Sequence, residues 1–370
     1  MTRPGRRWWA APLAAALAAA LLAGCGGSIG IGVGGIGVGG GGGDSREANH
    51  VAHIDMAAFA RKYGQLPGVS DPYAHLARAL AKRGVRIWFE TDLVSSWLQG
   101  RTAFDQDLMR LHRLAKIPGV VGFKVADELG YQDGLESAEQ ARKFLTDARA
   151  GLQSVAPGAQ LLVDVVVPEL GCLPWRTTSG SATVECADRY RRDYPAASID
   201  AITGYLQAGL IDRLDVSTGL EPETTYQAWG LTRLEAQREA WRHIREAGWG
   251  SLTVLQARKA LAVPGGYSGS PKAAGRAVAL YVRTPVAYGA KAVDIWAWRQ
   301  VTDDQPHSLL APDDASNPLW RQLARAHADG TRLFTHMRSS TMPLNRHAYR
   351  HECDLAAGVF SDVFVAAGTG

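Results

Sequence analysis

The chain reads as a (β/α)8 barrel, and three observations carry that expectation. Six times a helical stretch closes near a glycine and runs into a short apolar segment rich in β-branched or aromatic residues. The intervening stretches place Leu or Ala at three-to-four spacing, as in Leu76/Leu80, Leu108/Leu111, Phe144/Ala148/Leu152 and Trp241/Ile244. No glycine-rich phosphate turn follows the first strand, which weighs against a nucleotide-binding open sheet. Strands alternating with helices imply a parallel sheet, and over about 250 residues that pattern most often closes into a barrel. An open doubly wound sheet is the alternative.

The elements follow in order. An opening strand is expected near Val51 to Met56. Gly84 stops a helix ahead of Val85 to Glu90, and Gly119 does the same ahead of Val120 to Glu128. Gly158 precedes Leu161 to Val167, Gly209 precedes Ile211 to Ser217, Gly250 precedes Leu252 to Ala257, and Gly289 precedes Ala292 to Trp298. Ser137-Ala138-Glu139-Gln140 fits a capping box, while Ser270-Pro271 and Asn317-Pro318 fit an N-cap followed by proline at the first helical position. The eighth strand has two candidate places, Ile199 to Tyr205 or Val359 to Val365. The spacing of Ile199, Ile202, Leu206 and Leu210 favours a helix for the first.

The N-terminus has its own logic. Arg3, Arg6 and Arg7 precede an apolar run from Trp8 to Leu22 that is too short to span a bilayer. It ends in Leu22-Ala23-Gly24-Cys25, which resembles the lipobox of bacterial lipoproteins. The resemblance implies a signal peptide over residues 1–24, cleavage before Cys25 and a diacylglycerol on its sulfur. The protein would then sit outside the cytoplasm on a membrane tether. Residues 26–43 are nearly all glycine, so they cannot build a core and behave as flexible coil with a reach of about 20–25 Å. The folded body is expected over 44–370, as a barrel with a C-terminal extension.

Hydrophobic residues make up 46% of the chain and charged residues 21%, enough apolar material for a large core. The net charge is +4, but the three arginines of the leader account for most of it. A near-neutral body without basic runs argues against nucleic acid as a partner. Cys172 and Cys186 flank a Ser/Thr/Gly-rich loop and are the preferred disulfide, open to an exported protein and contributing roughly 3 kcal/mol in the chain-entropy picture. Cys353 is then unpaired, or displaces one of the two. No CxxC or histidine pattern calls for a metal, and no motif calls for a cofactor. The sequence does not set the oligomeric state.

Chemistry on such a scaffold belongs at the C-terminal ends of the strands. Period-two alternation puts Trp88 and Glu90 on one face, Lys124 and Glu128 on another with Asp127 opposite, then Asp164, then Asp215. Later strands offer Gln256 and Arg258, then Asp294, Trp296 and Trp298, with Arg299 following. Fully buried strands ought to be apolar throughout, so this recurrent polarity marks a site. Lys124 and Asp164, at similar depth, are either a structural ion pair or part of a substrate site. Glu90 and Glu128 are expected to form a carboxylate pair with divergent pKa values. His307, His327, His336, His347 and His351 show no zinc-binding pattern, and most of them read as surface residues.

An acidic pair ending a barrel strand, carboxylates around the rim and Asp294-Ile295-Trp296-Ala297-Trp298 late in the chain look like a (β/α)8 glycoside hydrolase. The likeness lies in architecture and residue types. The best-known clan has Asn-Glu on strand four and a nucleophilic Glu ending strand seven, whereas here Asp127-Glu128 ends an earlier strand. The resemblance implies Glu128 as general acid, Asp127 beside it, and Glu90, Asp164 or Asp215 as second carboxylate. Trp88, Lys124, Gln256, Arg258, Trp296, Trp298 and Arg299 would contact a carbohydrate. The rival reading is a cell-envelope lipoprotein that binds glycans on a barrel without cleaving them.

Overall fold

The computed structural model describes residues 56–131, 133–176, 180–250, 252–257, 261–302, 305–311 and 314–366. The leader, Cys25, the glycine tether, most of the expected opening strand and Arg258 lie outside the described residues.

Eight parallel strands close on one another. They are β1 (Arg86–Glu90), β2 (Val120–Ala126), β3 (Gln160–Val166), β4 (Arg213–Ser217), β5 (Thr253–Gln256), β6 (Ala292–Thr302), β7 (Leu333–Met337) and β8 (Asp362–Ala366). Each pairs with the next, and β8 returns to β1 with Phe364 opposite Trp88. This is a TIM-like α/β barrel. The six glycine-led strands of the sequence all form. The N-caps do as well, with Ser137, Ser270 and Asn317 accepting the N–H groups of Gln140, Ala273 and Trp320. The expected capping box stays half-made, because Gln140 Oε1 accepts from the Glu136 N–H.

Two expectations change. Met56 begins a helix, Met56–Lys62, rather than ending a strand, and the barrel opens with β1. The last strand forms at Asp362–Ala366, one of its two candidate places, whereas β7 comes from a stretch where no strand was expected. Helix Pro318–Ala328 stops before Gly330, whose φ of 91° lets the chain turn into β7, and helix Arg346–Ala357 leads to β8. Residues 199–207 are helical, as their spacing indicated.

The barrel interior is layered. Trp88, Leu162, Val254, Ala292, Phe334 and Phe364 fill its middle. Gly122 makes room for Trp88, since a Cβ there would lie 2.5 Å from the indole. Below, Asp362 accepts from Trp88 Nε1 at 3.0 Å, from Arg86 at 3.0 Å and from Arg332 at 2.6 and 2.8 Å. Outward-facing residues such as Phe89, Phe123, Val163 and Ile295 pack against the helices as the main core. Cys172 and Cys186 are bonded to each other across the β3–β4 connection, and Cys353 is free and buried. Among the described residues, no helix is long and apolar enough to cross a membrane.

Candidate active site

Above the apolar layer every strand but the last turns polar. Glu90, Lys124, Asp164, Asp215, Gln256, Asp294 and His336 stand on β1 to β7 in order. The register pairs them two by two, Glu90 opposite Lys124, Asp164 opposite Asp215 and Gln256 opposite Asp294. Lys124 is itself opposite Leu162, Asp215 opposite Val254 and Asp294 opposite Phe334, so the polar level steps by two residues from pair to pair and Phe364 belongs to the layer below. Side chains at matched register positions on a closed barrel converge on its axis.

Lys124 is the hub of one half. Its buried Nζ lies 3.0 Å from Glu90 Oε1, 3.0 Å from Asp127 Oδ1 and 3.8 Å from Asp164 Oδ2. Burial alone would pull its pKa down, but the three carboxylates outweigh that and hold it well above the usual lysine range. His336 is the hub of the other half, with Nδ1 2.9 Å from Glu90 Oε2 and Nε2 2.7 Å from Asp294 Oδ2. Burial likewise opposes its charge, yet Asp294 and Glu90 push its pKa up to about 9, so the ring is an imidazolium donating from both nitrogens at neutral pH.

The acids split into two kinds. Glu90 is desolvated, but Lys124 and His336 keep it well below the usual carboxylate range. Asp164 goes the other way, because burial is reinforced by Asp127, with which it shares a hydrogen bond, and by Asp294, against the pull of Lys124. Its Oδ2 also accepts from Gln256 Nε2 at 3.0 Å. Asp215 is raised too, by burial and then by Asp294 and Asp164. Neither Asp215 oxygen has a donor among the described residues, and Asp294 is in hydrogen-bonding range. Two carboxylates that close oppose each other's ionisation, which adds to burial in raising Asp215.

The structure redistributes the expected residues. Asp127, not Glu128, meets Lys124, because the β2–β3 register slips between Lys124 and Ala126 and reverses the alternation beyond it. Glu128 sits half-buried in the turn that follows, with φ 56° and its carbonyl accepting from the Tyr131 N–H. Lys124, Asp164 and Gln256 converge as expected, and Lys124 and Asp164 are the anticipated ion pair. Trp88 is sealed inside the barrel. Trp298 and Arg299 lie at the top of β6, where the strand still pairs with β7 at Arg299–Met337 and takes on the antiparallel strand Gln305–Ser308. There Trp298 Nε1 and Arg299 both donate to Glu352, Arg299 also binds Asp314, and its guanidinium lies 4.0 Å from the Tyr63 ring. These three residues are packing groups rather than a sugar platform. Trp296 remains half-buried, near the His307 ring. His336 overturns the surface reading of the C-terminal histidines. With Asp294 it is the part of the site that the sequence left unassigned.

Asp215, Asp294 and His336 each offer a ligand atom within 4.8 Å of the others, a donor set suited by type to a divalent cation. Both imidazole nitrogens are engaged by Glu90 and Asp294, so the set is a hydrogen-bonded network. A second grouping, Cys172, Cys186 and Glu221, is closed to a metal because its sulfurs are bonded to each other. Beside the mouth, on the β3–β5 side, a cleft of about 200 Å³ is lined by Gln256, Tyr131, Tyr190, Glu221, Arg233, Gln237 and Tyr281, among others.

Fold and site together define a (β/α)8 barrel with a buried acid-rich mouth. No family model and no curated protein matches the chain. Among solved structures it is similar to pyruvate carboxylase of Rhizobium etli, with TM-score 0.40, 13% identity, and 83% of this chain and 26% of that one covered. It is also similar to the carboxyl transferase domain of that enzyme (TM-score 0.38, 13% identity, 80% and 41% covered) and to a beta-glucosidase named 1317 (0.32, 13%, 80% and 78%). This chain thus spans about a quarter of the pyruvate carboxylase chain. Likenesses this remote carry no chemistry, which has to be read from the side chains.

Proposed function

We propose that the protein is a glycoside hydrolase working by carboxylate acid/base catalysis, held outside the cytoplasm by a lipid on Cys25. One observation carries the catalytic reading. Glu90 and the Asp127–Asp164 pair touch the same lysine, yet the pKa of Glu90 is held down while that of Asp164 is pushed up by burial and by Asp127. Carboxyl groups pushed apart in pKa at one site are what glycosidic hydrolysis needs.

The roles follow from exposure. Asp164 is fully buried, whereas the Asp127 side chain is 55% exposed and is the end of the pair that can meet a leaving-group oxygen. Asp127 donates the proton, drawing on Asp164. Glu90, with a 17% exposed side chain, is the ionised carboxylate that faces the sugar carbon or its attacking water. Glu90 Oε1 and Asp127 Oδ1 each lie 3.0 Å from Lys124 Nζ, so they are at most twice that apart, close enough to flank one glycosidic bond. Lys124 positions both.

A second reading rests on a specific observation too. Both oxygens of Glu90 and one of Asp294 are engaged by cations, as in a structural network that supports a glycan-binding barrel without turnover. The full chain, purified in detergent, decides between them when it is screened on a polysaccharide panel for new reducing ends beside Asp127→Asn, Asp164→Asn and Glu128→Gln. Release that survives in Glu128→Gln but falls at least a hundredfold in Asp127→Asn supports the assignment. Release lost only in Glu128→Gln moves the acid to Glu128, and binding without release favours the second reading. The tether is tested separately: labelled palmitate is expected in the wild type and not in Cys25→Ser.

A further inference from the structure

The cleft beside the mouth contains a cation that meets no carboxylate among the described residues. Arg233 opens helix Arg233–Glu246, and its backbone N–H is bonded to Glu223 at 3.2 Å. The buried Nε of its side chain meets no acceptor among the described residues. Nη2 makes only a 3.5 Å contact with the Leu220 carbonyl, at the limit of a hydrogen bond. Three other arginines each meet a carboxylate: Arg299 meets Glu352 and Asp314, Arg149 meets Asp212 and Arg191 meets Glu169. Glu221, the carboxylate that lines the same cleft, instead accepts the Tyr190 hydroxyl at 2.8 Å.

Gln237 adds to the same polarity. It lies one helical turn after Arg233, is almost wholly buried and also lines the cleft. Its Oε1 accepts the Thr218 hydroxyl at 2.7 Å, which leaves the NH2 as the group it can offer a ligand. A guanidinium and an amide NH2 side by side form a wall of donors, and leaving them unmet is costly in a half-buried place. A guanidinium fork matches a planar carboxylate with two parallel bonds. Tyr131, Tyr190 and Tyr281 supply flat apolar faces around it, suited to the body of a sugar ring. The cleft is continuous with the mouth through Gln256, which lines it and binds Asp164.

We infer that the glycan this protein recognises is acidic, and that Arg233 with Gln237 binds the carboxylate of a uronic-acid unit. This rests on the glycoside reading of the mouth but concerns a different set of residues. The test is calorimetric titration of the full chain in detergent with trisaccharides of glucuronate, galacturonate and mannuronate. Their methyl esters, a neutral trisaccharide and an O-sulfated one serve as comparisons. At least one uronide is expected to bind tenfold or more tightly than its methyl ester, with an advantage that shrinks as salt rises. Arg233→Gln is expected to erase that advantage while leaving ester affinity within about twofold. Should that variant fail to fold, Gln237→Leu is read in the same way, with a partial loss expected.

Equal affinity for acid and ester overturns the inference, as does a preference that survives Arg233→Gln, or no binding of any uronide. Tighter binding of the sulfated sugar than of every uronide overturns the carboxylate assignment. The two readings fail separately. Uronide binding without cleavage removes the hydrolase and keeps the acidic ligand, whereas cleavage of a neutral glycan that depends on Asp127, with no preference for acids, does the reverse.

Discussion

At the lower end of the barrel interior one carboxylate, Asp362, is met by Arg86, Arg332 and the Trp88 indole. At the upper end Glu90, Asp127, Asp164, Asp215 and Asp294 share two cations, Lys124 and His336. Both clusters occupy the same closed sheet, a few residues apart on the same strands. The lower one is over-supplied with donors, and its acid is fully matched. The upper one is over-supplied with acids, which adds to burial in raising Asp164 and Asp215. A balanced buried cluster serves the fold, whereas an imbalanced one stores groups with shifted pKa values, the condition that the proposed acid/base chemistry draws on.

The comparison breaks most readily at Asp362. Asp362→Ala strips two arginines and an indole of their acceptor. The expected loss is about 3 kcal/mol, the lower end for a broken buried pair because the Arg86 side chain is 45% exposed and can turn to solvent. Urea unfolding reads it. A loss below about 1 kcal/mol would mean that the lower cluster is not structural, and the contrast between the two ends would fall.

The middle layer that separates them gives a smaller effect. A Cβ at Gly122 would lie 2.5 Å from the Trp88 ring and 2.4 Å from the Gln160 carbonyl oxygen, and the latter is backbone that cannot step aside. Gly122→Ala is therefore expected to cost about 2 kcal/mol by overpacking. The tilt of Trp88 that relieves it would also disturb its bond to Asp362, so the two substitutions should be less than additive in a double-mutant cycle.

Much of this layering is legible in the sequence, and its gaps have physical causes. Glycine before an apolar run marked six strands because a left-handed stop needs no tertiary context. Gly330 carries the same signal, but Thr335 and His336 interrupt the apolar run behind it, and a strand whose inner residue serves a polar mouth does not look buried. For the same reason His336 read as surface. Alternation placed Glu128 with Lys124 because a register slip between neighbouring strands leaves no trace in spacing. Arg299 and Trp298 were assigned to the mouth since nothing in Ala292–Thr302 announces where a long strand takes on an antiparallel partner. Asp164, Lys124 and Gln256 were found because a charge or amide inside an apolar run is conspicuous by itself.

The upper cluster should respond with the opposite sign. Asp215 has a raised pKa, so between its ordinary value and its raised one the unfolded chain holds it ionised while the fold holds it protonated. That penalty begins above the ordinary carboxylate pKa and grows with pH until the folded group itself titrates. Asp215→Asn removes it and supplies an amide donor toward Asp294. A gain of about 1 kcal/mol is expected, absent near pH 3 and growing toward pH 8. A loss of stability at pH 8 would show that Asp215 is balanced after all and that the two ends do not differ in kind.

Glu90→Gln gives the finest test, because it alters proton affinity with little change of shape. In the wild type His336 titrates at about 9, above its unfolded value of 6.5, so its contribution to stability is complete below about pH 6.5 and drains away as pH rises through 9. Glu90 has a depressed pKa, so its contribution is present above about pH 4.5 and is lost on acidification. The substitution abolishes the acid-side loss outright. It also deprives His336 Nδ1 of a carboxylate, leaving Asp294 alone to hold the imidazolium, so the histidine should titrate lower, between 6.5 and 9. Imidazole nitrogen shifts followed from pH 5 to 10, beside urea midpoints over the same range, read both flanks. A His336 pKa that stays at about 9 would place its charge under Asp294 alone, dissolving the link through Glu90 that joins the two halves of the mouth.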